Sequence, residues 1–78
     1  MTESPASSTP HHAHVVVVHH VVDANPPYRR VDVLGTPVGK AHSLRDVAEF
    51  CRRAGLRELD PEDDDSVQWI GGGPHVWQ

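Results

Sequence analysis

One cysteine in 78 residues excludes a disulfide framework and a cysteine-built zinc finger. Apolar runs are short: the longest is Val15 to Val18, far below the length of a membrane-spanning helix. Nothing near Met1 pairs a basic stretch with an apolar segment of signal-peptide length, so the sequence predicts a cytoplasmic protein. A surplus of positive charge is missing as well. The formal net charge is −4 and the isoelectric point is near 5.9, which argues against a dedicated nucleic-acid binder. No internal repeat is visible.

What is present describes one small domain, too short for a multidomain enzyme. The first residues, T-E-S-P-A-S-S-T-P after Met1, carry no large apolar side chain and cannot repay the entropy of ordering. Residues 1–12 therefore read as a disordered tail and residues 13–78 as the domain. A domain of about 60 residues buries only roughly 60% of its unfolded surface. Scaffolds of this size commonly need a metal, a disulfide or a partner subunit.

Val15 to Val22, V-V-V-V-H-H-V-V, is β-branched at six of eight positions and predicts a strand. Strict alternation puts Val16, Val18 and Val22 on one face and Val15, Val17 and Val21 on the other, the pattern of a central strand covered on both sides. Asp23 to Pro27 reads as a turn. Tyr28 to Leu34 is a second strand, with Val31 and Val33 on one face and Arg30 and Asp32 on the other. Gly35, Thr36 and Pro37 form a hairpin turn, and Val38 to Ala41 a short edge strand.

Leu44, Val47, Ala48, Cys51 and Ala54 repeat as one helical stripe, with Ser43 as N-cap, Asp46 in the first turn and Gly55 as the stop. Asp60 to Asp65 is an acidic loop, and Ser66 to Ile70 a last strand, placed beside Val15–Val22. The predicted fold is α+β: a three- to four-stranded, mainly antiparallel sheet in the order β-β-(β)-α-β, with one helix on one face.

One helix cannot cover both faces of such a sheet, and an apolar patch of a few hundred Å² is rarely left open on a monomer. The expectation is a homodimer, or a complex with another protein, through Val16, Val18 and Val22. The segment W-I-G-G-G-P-H-V-W holds both tryptophans, Trp69 and Trp77. Tryptophan is enriched at interaction hot spots, so both count as candidate anchors; the same residues would equally serve to clip the tail onto its own domain.

The chemistry-bearing motifs are weak. His12, His14, His19 and His20 suggest a metal- or pH-responsive binder. His14 and His20 are about 20 Å apart along a strand, and His19 and His20 point to opposite faces of an alternating one. No metal site is therefore assigned, although two-fold symmetry could pair histidines of two chains. Gly35 to Ser43 resembles a phosphate-binding loop but has three residues between its glycines where four are needed, and Ala41 follows Lys40. Asp60, Glu62 and Asp64 open like a calcium loop, yet Asp65 and Gly71 stand where Gly and Glu are required. Cys51 lies on the apolar stripe, far from the nearest base, His42, and reads as core. Arg29, Arg30, Arg45, Arg52 and Arg53 would serve a DNA-associated factor, which the net charge disfavours. No catalytic residue and no cofactor are predicted.

The stretch A-H-S-L-R-D-V-A-E-F-C-R-R-A-G-L (41–56), the acidic loop after it and V-Q-W-I-G-G-G-P-H-V-W (67–77) cover about half the chain. Together they resemble a group of small uncharacterised proteins of actinobacteria such as Streptomyces, marked by a C-terminal W-x-G-G-G-P-x-x-W segment. The resemblance implies an actinobacterial origin and no particular activity. The sequence as a whole predicts a non-enzymatic interaction or regulatory module.

Overall fold

The computed structural model describes residues 15–63 and 65–78. The expected N-terminal tail, residues 1–12 with His11 and His12, lies outside the described residues, as does His14. Strands β1 (Val16–Val22), β2 (Tyr28–Val33) and β3 (Thr36–Ala41) are followed by helix α1 (Leu44–Arg53) and strand β4 (Val67–Trp69). The sheet order is β3-β2-β1-β4. Strands β1, β2 and β3 form an antiparallel meander, and β4 runs parallel to β1, with Val16 opposite Val67 and Val18 opposite Trp69. This is the small α+β fold read from the sequence, with the last strand on the valine-rich one as expected.

Helix α1 packs against β2 and β3. Val47 and Cys51 of its apolar stripe join Val16, Val18, Val31, Val33, Ala41 and Val67 in the core. Its start lacks both bonds of a capping box. Ser43 is the extended N-cap but its side chain makes no cap bond, whereas the Asp46 carboxylate accepts from the His42 backbone N–H at 2.8 Å. Its end follows the Schellman pattern: Gly55 has φ +85°, its N–H bonds the Arg52 carbonyl at 3.1 Å, and Leu56 N–H bonds the Cys51 carbonyl at 2.8 Å. Leu56 then packs against the core.

A β-bulge departs from the sequence expectation. Val18 pairs with Val31 and Val21 pairs with Arg29, so His19 and His20 together stand opposite Arg30. The extra residue reverses the alternation beyond it. Val21 joins Val16 and Val18 on the core side, because directly opposed residues share a face and Arg29 is in phase with Val31 and Val33. Val22 turns to the other side. The trio Val16, Val18 and Val22, expected on one face, is thus divided between two.

Strand β3 is an edge, and only Ala41 of it is buried. Pro37 lacks a donor, a second bulge sets Val38 out of register, and Lys40 adds a charge. All three features discourage pairing with a further strand.

The β2–β3 hairpin turns through Leu34 and Gly35, at φ +53° and +80°. Positive φ at both central residues defines a type I′ turn, which favours Asn-Gly. Leu34 is 70% exposed, so no packing offsets a left-handed conformation that a bulky side chain adopts at a cost of about 1–3 kcal/mol. Leu34→Asn is therefore expected to stabilise the protein by roughly 1 kcal/mol, raising Tm by about 4–8 °C for a domain of this size. Thermal unfolding followed by circular dichroism measures the shift; an unchanged or lower Tm contradicts this account of the turn.

Candidate functional site

Alternation along β2 places Arg29 among Val31 and Val33, on the core side, and there it is completely buried. A buried guanidinium has five N–H donors to satisfy. All five are met by backbone carbonyls. Nε donates to His19 at 2.7 Å, one terminal nitrogen to Gly73 and Val76 at 2.8 Å each, and the other to Ile70 at 2.9 Å and Gly72 at 2.8 Å. Among the described residues no carboxylate pairs with it. Burial pushes its pKa below the ordinary arginine value.

The glycine run makes this cage. Gly71 and Gly72 have φ +77° and +147°. A Cβ on Gly71 would sit 2.9 Å from the His20 Cβ, and one on Gly72 would sit 3.0 Å from Val76. Only glycine lets the backbone pass there and turn its carbonyls inward. Trp69 and Trp77 complete the enclosure. Their rings lie 5.1 and 5.4 Å from the Arg29 Cζ and meet each other edge to face, with centroids 6.2 Å apart. The Trp77 indole donates to the Pro74 carbonyl at 2.7 Å and the Trp69 indole to the Pro61 carbonyl at 3.1 Å. The C-terminal segment is thus a strap across the core side, locked by one arginine. Both tryptophans are engaged within the chain, and Val16 and Val18 are fully buried, which leaves those two valines no surface for a partner.

Among the described residues, the opposite sheet face has neither helix nor strap. Register places Val17 beside Asp32, Val22 beside Tyr28, and Arg30 beside Lys40. Val17, Val22 and Tyr28 are half-buried; Arg30 and Lys40 are exposed. His19 Nε2 meets the Asp32 carboxylate at 2.8 Å. The Lys40 ammonium lies 4.6 Å from the centre of the Tyr28 ring. A cleft of about 550 Å³ runs between them, lined by His19, His20, Val22, Tyr28, Arg30, Asp32 and Pro37. This surface alternates apolar and ionic groups where the valine pattern alone predicts a continuous apolar face.

The remaining candidates are dispersed. His19 and His20 are bulge neighbours, and among the described residues no three His, Cys, Asp or Glu side chains gather as metal ligands would. Cys51 is buried in the core. Of the five arginines considered for DNA, Arg29 is caged and Arg52 and Arg53 pair with Glu49 within the helix. Among the described residues no helix is long and apolar enough to cross a membrane. Comparison of the chain with family models, curated proteins and solved structures gave no match.

Proposed function

We propose that this chain is a non-enzymatic protein-interaction module that forms a homodimer through the open sheet face. One observation carries the reading: among the described residues, helix and strap both cover one side of the sheet, while Val17, Val22 and Tyr28 on the other are only half-buried and neither element lies over them. The contact surface differs from the sequence expectation in its residues. Val22 stays in it; Val16 and Val18 give way to Val17, and Trp69 and Trp77 act from beneath by holding the sheet together.

Sedimentation over a range of concentrations tests the proposal. The expected result is a species of twice the 8.6 kDa chain mass. Val22→Asp would put a charge on the apolar lining of the cleft in that face, and it is expected to weaken association at least about tenfold, the equivalent of ~1.4 kcal/mol. The variant should keep the wild-type circular dichroism, because Val22 is not part of the core. A monomer at every concentration overturns the reading.

A further inference from the structure

Resting on that reading of the open face, we infer how two copies meet on it: Arg30 of each pairs with Asp32 of the other, about a two-fold axis that crosses β2 level with Val31. Side chains alternate along β2 and Arg29 lies on the strap side, so Arg30 and Asp32 share the open face. Both line the cleft in it. They stand about 6–7 Å apart along the strand and form no ion pair with each other. Arg30 is exposed and has no ion-pair partner among the described residues. Asp32 gives one oxygen, Oδ2, to His19 at 2.8 Å. Among the described residues its Oδ1 accepts no hydrogen bond, so the carboxylate can take a second partner.

A cation and an anion side by side on one face make that face complementary to itself. A two-fold pair uses the same patch twice: wherever residue i meets j, j meets i, and the assembly closes at two copies. Sheets packed in alignment on such a patch bring their β2 strands together either parallel or antiparallel. Parallel strands centred here would set Arg30 on Arg30 and Asp32 on Asp32. Antiparallel strands, with the axis level with Val31, set each Arg30 on the second copy's Asp32 and form two ion pairs from one pattern. The neighbouring strands agree, since β3 then lies over β3 and β1 over β1. Lys40 is level with Arg30, and Pro37 is level with Asp32. Lys40 therefore comes over Pro37 of the second copy, and no cation is set on a cation. Packed sheets are roughly 10 Å apart, a gap that an arginine and an aspartate span when they reach in from opposite sides. The charges set the register, and the half-buried Val17, Val22 and Tyr28 supply affinity.

Charge reversal on the full chain, followed by sedimentation, tests this. Arg30→Asp sets acid on acid twice across the axis, and Asp32→Arg sets base on base twice. Each is expected to weaken self-association at least about tenfold. An equimolar mixture of the two is expected to form a heterodimer near wild-type affinity, since one chain is then acidic and the other basic at both positions. The double variant Arg30→Asp/Asp32→Arg carries the same pattern reversed and should again dimerise with itself. Circular dichroism checks that each variant is folded. Should Asp32→Arg unfold on losing the His19 contact, the exposed Arg30→Asp decides through salt. Between roughly 50 and 500 mM, wild-type association should weaken several-fold, whereas that of Arg30→Asp should strengthen. Dimers that yield to Val22→Asp but keep their affinity in Arg30→Asp overturn the ion pairs and leave the open face as the contact surface. Folded reversals that do not recover on mixing do the same. A wild-type monomer overturns both statements.

Discussion

Arg29→Met is expected to remove at least about 3 kcal/mol of folding stability, because five hydrogen bonds from a charged donor are lost and each contributes about 1.5–3 kcal/mol. Five carbonyl oxygens lose their only guanidinium donor, and an unsatisfied buried acceptor costs about 1–3 kcal/mol before water relieves it. Two cation–π contacts go with it, each of about 0.5–2 kcal/mol. A domain with roughly 0.05–0.15 kcal/mol of stability per residue has only a few kcal/mol in total. The variant is therefore largely unfolded in ordinary buffer. Arg29→Lys should lose most of the same stability, because an ammonium brings three donors to one point where the cage presents five acceptors around a plane. Urea denaturation followed by circular dichroism measures both. A loss under about 1 kcal/mol for the methionine variant would mean that the carbonyls are held in place without the arginine.

Trp77→Ala is expected to cost about 3 kcal/mol, the low end of the range for truncating a packed tryptophan, since Trp77 is only half-buried. It removes one wall of the arginine cage and the indole bond to Pro74. Amide exchange at Val76, whose N–H bonds the Gly73 carbonyl, should approach that of an open chain in the tryptophan variant. A tryptophan serving as an external anchor behaves oppositely: its loss would leave stability unchanged and lower affinity for a partner alone.

The meander, the helix with its Gly55 stop and the pairing of β4 with β1 follow from pattern, because each rests on local periodicity or a turn residue. The bulge does not, since strict alternation carries straight through His19 and His20; two adjacent polar residues inside a valine run are its only trace in the sequence. Arg29 was also open to reading. It is in phase with Val31 and Val33, and a charged residue on the core face demands a set of acceptors. The identity of those acceptors was beyond sequence reasoning. Carbonyls of Ile70, Gly72, Gly73 and Val76 carry no side-chain signature, and converge only through the left-handed turns of the glycine run. The acidic loop was legible as a solvated segment, but its position across the sheet from Arg30 and Lys40 required the topology.

During synthesis the guanidinium leaves the ribosome well ahead of most of its acceptors, which follow 41 to 47 residues later. Until they arrive, Arg29 must stay hydrated, and the inner side of β2 cannot close over it. The last strand and the strap thus complete the inner face of β2, and the sheet and the C-terminal segment depend on one another for stability.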